Sequence, residues 1–298
     1  MNEQLLTLNL HDAYTDFILS RQAINAAQTT LDFYKHTVGV FLSWLERQGI
    51  NCPQEVTAHH IRQYLADLVE RGKADTTVCD HARAIRTLVI FWHTEGYLQH
   101  DIKFAMPKVA KKRLPVLTAD ELTRVIAACR NPRDKAIVLF MADSGLRRAE
   151  TVALNWGDVD MASGLVTVRH GKGGKARSAV IGASTRRALL AYRRTCKRVS
   201  ETDPLFQARG SARFTGSGLL LVFRRLSVRT GIKGLSPHAM RRTFVILCLR
   251  AEMDVLHLQA MLGHASLDMV QHYAQMVDDD LLQAHRAHSP IDNLSRLR

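Results

Sequence analysis

Three runs of apolar residues at helical spacing, each closed by a glycine or a polar turn, fill most of the first hundred positions. A chain with that period cannot lie still as a strand. Leu31, Tyr34, Val38, Phe41, Leu42 and Leu45 form one such face, and Gly49 stops it. Thr57 can cap a second helix carrying Ile61, Tyr64, Leu65 and Leu68 on one side and ending near Gly72. A third runs from about Asp75 to Glu95, with Val78, Ala82, Ile85, Leu88, Val89 and Trp92 as its stripe. With a shorter helix near Tyr14 to Arg21, these predict a small four-helix bundle over the N-terminal third. The stripes are core, and no chemistry is assigned to them.

The pattern changes at Met106-Pro107. Lys108, Lys111, Lys112 and Arg113 follow, and Pro115 closes the stretch. Two prolines around a charged, apolar-poor segment predict an interdomain linker over 107–115, dividing residues 1–106 from residues 116–298. Thr118-Ala-Asp-Glu121 is then a capping box that opens a new helix. The C-terminal part reads as mainly helical with one exception. Leu165 to Arg169 and Ala176 to Ile181 flank Gly171-Lys-Gly-Gly-Lys175, the pattern of a β-hairpin with a glycine-rich turn. The expected fold class is therefore mainly α: a four-helix bundle plus a mostly helical domain with one small hairpin.

Charge narrows the partners. The 298 residues carry a formal net charge of +13. Residues 1–106 have a net charge of −3, residues 107–114 of +4, and residues 115–298 of +12. A basic C-terminal two-thirds is the electrostatic footprint of a nucleic-acid binder. The mildly acidic N-terminal part does not fit uniform clamping by charge. Lys108, Lys111, Lys112, Arg113, Lys175 and Arg242 are the DNA-binding candidates. Five widely spaced cysteines without a C-x-x-C pair argue against a disulfide scaffold and for a reducing compartment. The longest apolar runs are far short of a membrane span, and the N-terminus lacks the basic region of a secretory signal. A cytoplasmic protein without a membrane partner is expected.

Four segments concentrate polar residues where core patterning would not put them. Gly145-Leu-Arg-Arg-Ala-Glu150 follows an apolar run, and a helix end or turn there brings Arg147 and Glu150 together. The hairpin turn carries Lys172 and Lys175. In Ser236-Pro-His-Ala-Met-Arg-Arg242, Ser236 suits an N-cap and Pro237 the first helical position, so His238 and Arg241 share one face near a helix N-terminus. Leu262-Gly-His264 ends one helix, and a short helix from Ser266 carries Tyr273. Guanidinium forks bind phosphate oxygens and stay charged. Two of them can neutralise the extra charge of a pentacoordinate phosphate. A lysine or histidine can protonate a leaving alkoxide, and a tyrosine hydroxyl can attack phosphorus. The set suits phosphoryl transfer through a phosphotyrosine.

Arg147 in GLRRAE, Lys172 in GKG, His238 and Arg241 in SPHAMR, His264 in LGH and Tyr273 in QHYAQM resemble the tyrosine recombinases of the phage-integrase family, in the Xer-like two-domain form. Residue types, order, the three-residue step from His238 to Arg241 and the nine-residue interval from His264 to Tyr273 all match. The resemblance implies a SAM-like core-binding bundle over residues 1–106 and a catalytic domain over 116–298. It implies Tyr273 as the nucleophile that forms a 3′-phosphotyrosine, with Arg147, Arg241 and His264 on the non-bridging oxygens. It implies Lys172 as general acid (Lys175 being its competitor), His238 assisting proton transfer, and Glu150 orienting the arginine side. Neither a cofactor nor a metal is implied. The partners implied are double-stranded DNA with specific sites and further copies of the chain: a tetramer in the synapse, a monomer or weak dimer when free, with accessory proteins left open. The expected role is integration, excision or transposition of a mobile element. The alternatives are chromosome or plasmid dimer resolution, a type IB topoisomerase-like enzyme, and a non-catalytic DNA-binding regulator.

Blander readings stand beside these. Taken singly, Tyr14, Tyr34, Tyr64, Tyr97 and Tyr192 are packing residues. His285 and His288 read as a solvated helix face, and Asp158 and Asp160 as structural residues of a turn rather than metal ligands. The segment from Asp278 to Arg298 begins acidic, carries an amphipathic stretch and ends basic, and is expected to dock on a neighbouring protomer.

Overall fold

The computed structural model describes residues 8–109, 115–169, 176–263 and 289. The chain divides into two compact units, Met1–Lys112 and Arg113–Arg298. In the first, α1 (Leu10–Ala23), α2 (Gln28–Arg47), α3 (Ala58–Glu70) and α4 (Asp75–Thr94) are the four helices foreseen from the apolar stripes. Their starts are local. The Asn9 side chain accepts the Asp12 N–H at 2.8 Å. Thr57 Oγ1 accepts the His60 N–H at 3.4 Å, while His60 Nδ1 accepts the Thr57 N–H at 3.2 Å, so a histidine completes the capping box. Phe17, Phe41, Ile61, Ile85 and Trp92 are fully buried. Each large apolar side chain so buried contributes about 1.5–3 kcal/mol, which is what holds the four helices together.

The second unit contains α5 (Ala119–Ala127), α6 (Pro132–Ser144), α7 (Arg148–Ala153), β1 (Leu165–Val168), β2 (Arg177–Val180), α8 (Ala183–Arg193), α9 (Gly216–Thr230), α10 (Pro237–Arg250) and α11 (Val255–Leu262). The capping box at α5 is formed on both sides: Thr118 Oγ1 accepts the Glu121 N–H, and Glu121 Oε2 accepts the Thr118 N–H. β1 and β2 pair antiparallel, with Val166 opposite Ala179 and Val168 opposite Arg177. Val166, Val168 and Ala179 face inward, as the period of two requires. α6 lies at the centre, with Ile137, Val138, Phe140 and Met141 fully buried. Its Asp143 Oδ2 accepts the Gly182 N–H and the Thr185 hydroxyl, both at 2.6 Å, and this ties α6 to the start of α8. Phe244, Val245, Ile246, Leu258 and Leu262 form a smaller cluster that joins α10 to α11.

Asp158 and Asp160 do structural work. Asp158 is buried and accepts the Asn155 N–H at 2.8 Å and Arg169 Nε at 2.6 Å. Asp160 accepts the Ala162 N–H at 2.8 Å and the Ser163 hydroxyl at 2.5 Å. Among the described residues, no helix is long and apolar enough to cross a membrane.

Candidate active site

α6 stops at Gly145, whose φ is +60°. A Cβ there would sit 2.3 Å from Phe244 Cδ1, so glycine is required by conformation and by space together. The tight stop turns Leu146 fully inward and leaves Arg147 as the N-cap of α7. Glu150, one turn on, folds back: Oε2 accepts the Arg147 N–H at 2.7 Å and Oε1 accepts Arg147 Nη1 at 3.0 Å. The expected closeness of Arg147 and Glu150 is thus a helix-start geometry.

α10 reaches the same turn from the other side. Ser236 Oγ accepts the Ala239 N–H at 3.1 Å, and Pro237 occupies the first helical position. Arg241, buried at 6% exposure, donates through Nη1 to the Gly145 carbonyl at 2.5 Å and through Nη2 to the Leu262 carbonyl at 3.1 Å. His238, one turn earlier, is exposed.

Arg177 is the functional candidate that the sequence reading missed. From the first position of β2 it donates Nη1 and Nη2 to the two oxygens of Glu150, at 2.9 and 2.8 Å, and Nε to the Met261 carbonyl at 3.1 Å. Its signal was present in the sequence, since it shares the inward face of β2 with Ala179, where a charged side chain needs a partner.

Two guanidinium groups, those of Arg147 and Arg177, therefore share the Glu150 carboxylate, and that of Arg241 is held by the Gly145 carbonyl at the same turn. Burial alone would raise the Glu150 carboxyl. The hydrogen bonds from Arg177 and from the Arg147 N–H outweigh it and hold the carboxyl at about 2. The His238 imidazole is pushed below the ordinary histidine value, first by partial desolvation and then by the positive charges of Arg242, Arg148, Arg241 and Arg147. Arg147 keeps a partly exposed side chain, and among the described residues its Nε and Nη2 have no hydrogen bond. A positive cluster with such donors at a helix start suits the oxygens of a phosphate.

Lys172, Lys175, His264, Tyr273, Lys111, Lys112 and Arg113 lie outside the described residues, as do His285, His288 and nearly all of the Asp278 to Arg298 segment. Lys108 is exposed. Arg242, expected among the DNA-binding candidates, is instead 9% exposed and donates Nε to the Pro115 carbonyl at 3.0 Å. With Thr243 Oγ1 accepting the Leu117 N–H at 2.9 Å, it fastens the chain before α5 to α10. A guanidinium so covered offers little surface to a duplex. Among the described residues, no group of three or more His, Cys, Asp or Glu is gathered to hold a metal ion.

Residues 115–279 match the model of the phage integrase family, and residues 14–96 that of the phage integrase N-terminal SAM-like domain. A tyrosine recombinase XerC of Azotobacter vinelandii is 30% identical over 273 residues, covering 89% of this chain and 90% of that protein. A tyrosine recombinase XerA of Saccharolobus solfataricus is 27% identical over 276 residues, covering 91% and 90%. Among solved structures, the Tn1549 transposon integrase in complex with circular intermediate DNA aligns with a TM-score of 0.76 at 18% identity, covering 94% of this chain and 99% of that one. A lambda integrase dimer bound to a COC′ core site aligns with a TM-score of 0.74 at 18% identity, covering 91% and 96%. At that identity the two structures speak for the fold.

Proposed function

Because the chain belongs to the phage integrase family of tyrosine recombinases, enzymes that cleave and rejoin DNA, we propose that it exchanges strands between specific duplex sites through a 3′-phosphotyrosine on Tyr273. The observation that carries the reading is the arginine pair. Arg147 and Arg241 come from helices far apart in sequence, yet both are fixed at the turn that closes α6. In this reading they hold the non-bridging oxygens together with His264, which follows Gly263 directly in the chain. They lower the barrier by stabilising charge that develops only in the transition state. Tyr273 attacks phosphorus, the 5′-oxygen leaves with a proton from Lys172, and His238 assists the proton's movement. The bond energy is kept in the phosphotyrosine, which the 5′-hydroxyl of another strand then attacks to rejoin the DNA. Glu150 holds Arg147 in place.

Residues 1–106 bind the duplex as the helical core-binding domain, with Lys108, Lys111, Lys112 and Arg113 in the basic linker following the backbone. Pairing two sites calls for four copies of the chain in the synapse, acting on DNA in the cytoplasm. The role proposed is integration, excision or transposition of a mobile element. A second reading, resolution of chromosome or plasmid dimers, is favoured by the Xer-named relatives at 27–30% identity over about nine-tenths of the chain.

The test is to denature cells expressing the protein, recover DNA attached to it and sequence the protein-linked 3′ ends, with Tyr273→Phe as control. Ends clustered at one motif and absent from the control are expected. Scattered Tyr273-dependent ends would point to a topoisomerase-like enzyme, and tight binding without covalent DNA to a regulator. Ends clustered at a mobile-element boundary support integration, and ends at one chromosomal locus support dimer resolution.

A further inference from the structure

We propose that Arg177 is a positioning residue of this site, one side chain that sets both the phosphate-binding Arg147 and the chain entering His264. The inference rests on the recombinase reading above. Arg177 bonds both oxygens of Glu150 through its two terminal nitrogens. A guanidinium is planar, so this fork-to-fork pairing fixes the direction of Nε. Nε then donates to the Met261 carbonyl, in the last turn of α11. The same carboxylate holds the backbone N–H and Nη1 of Arg147. Arg147, Glu150, Arg177 and the end of α11 thus form one continuous chain of charge-assisted hydrogen bonds.

A second observation points the same way. Helix ends leave their last carbonyls without intrahelical donors. At α11 two of these carbonyls, Met261 and Leu262, are taken by the guanidiniums of Arg177 and Arg241. Gly263 then packs directly on Arg177: a Cβ there would lie 2.4 Å from Arg177 Cδ and 2.7 Å from its Nε. Gly263, at φ +68°, closes α11 and immediately precedes His264 in the sequence. Arg177 is also the first residue of β2, so the anchor lies at the very start of that strand. A lysine keeps the charge but cannot pair with a carboxylate on two nitrogens and hold a carbonyl with a third.

The experiment uses full-length wild type, Arg177→Lys, Gly263→Ala and Lys172→Ala. Each is assayed for single-turnover covalent-complex formation on a duplex carrying the mapped site. The scissile phosphate has either its natural 5′-oxygen or a 5′-bridging sulfur, which leaves without a proton. Duplex affinity and Tm are measured alongside. Arg177→Lys is expected to be slower by about 100-fold, the cost of a misplacement near one ångström, on both duplexes and with duplex affinity unchanged. Gly263→Ala, which keeps every charge but displaces Arg177, should reproduce the defect, and it carries the test alone if Arg177→Lys does not fold. Lys172→Ala should be restored by sulfur. Arg177→Lys cleaving at the wild-type rate, whatever its Tm, would overturn the proposal, as would its restoration by sulfur. Wild type that forms no covalent complex would sink the recombinase reading and this proposal with it.

Discussion

Replacing Glu150 by Gln keeps the shape of the side chain but removes the carboxylate that, among the described residues, pairs with both Arg147 and Arg177. The nearly buried Arg177 and the partly exposed Arg147 would then lose their shared counter-charge. The expected cost is about 3–5 kcal/mol in a denaturant titration at neutral pH. The pH dependence has a definite sign. The Glu150 carboxyl is held at about 2 against an ordinary value of 4.5, so its contribution to stability is whole above 4.5 and is lost as pH falls toward 2. Glu150→Gln should flatten that acid limb, seen as a Tm that changes less between pH 4.5 and 2. His238 has the same sign in a higher pH window. Its depressed pKa means the unfolded chain takes up the proton first, so its part in stability is lost as pH falls below the ordinary histidine value. Its NMR titration midpoint should lie below that value, and Arg148→Gln should raise it. The pairing of Arg147 with Glu150 was legible because three positions at a helix start bring the side chains together. The pairing of Glu150 with Arg177 was not, since its partners stand 27 positions apart. Tyr64, Tyr97 and Tyr192 are buried, with hydroxyls pushed up by desolvation, as suits packing residues.

At the scale of elements, the local signals carried well. The capping box at Thr118, the cap at Ser236, Pro237 in the first turn of α10 and the two strands of the hairpin all follow from neighbours within four residues or from a period of two. What the sequence left hidden is how helix ends are finished by side chains from elsewhere. The last carbonyls of α7 (Val152 and Ala153), with that of Leu154, accept from one guanidinium nitrogen of Arg213, and those of α11 accept from Arg177 and Arg241. Such caps are tertiary contacts and leave no spacing to read. The α6–α7 turn gives the sharpest element-level prediction. Gly145→Ala forces a Cβ into the Phe244 ring and disfavours the left-handed backbone. It should cost about 2–4 kcal/mol by overpacking and strain. Because the Gly145 carbonyl holds Arg241, cleavage by the folded fraction should fall as well, which a single-turnover assay at matched folded concentration would show.

For the whole molecule, the net charge of +13 overstates the surface offered to DNA. Arg133 donates to Asp134 and the Gln207 carbonyl, Arg241 to the Gly145 and Leu262 carbonyls, and Arg242 to that of Pro115. These arginines finish helices and tie segments, so composition read part of the internal scaffold as footprint. The remaining basic residues still predict a steep salt response. A clamp using roughly 6–10 phosphate contacts loses about 10³–10⁵ in affinity between 50 and 200 mM salt. Binding isotherms over that range should fall at the lower end, and a flat response would contradict the clamp. The central claim is a covalent bond between Tyr273 and a DNA 3′ end, and the most direct measurement is to digest the trapped complex with trypsin and nuclease and locate the nucleotide by mass spectrometry. Residues 251–286, the tryptic fragment expected, hold Tyr273 as their single tyrosine. A 3′-phosphonucleotide on that fragment is the predicted result. The same adduct on a fragment carrying Tyr14, Tyr34, Tyr64, Tyr97 or Tyr192, or a linkage through a 5′-phosphate, would contradict the account.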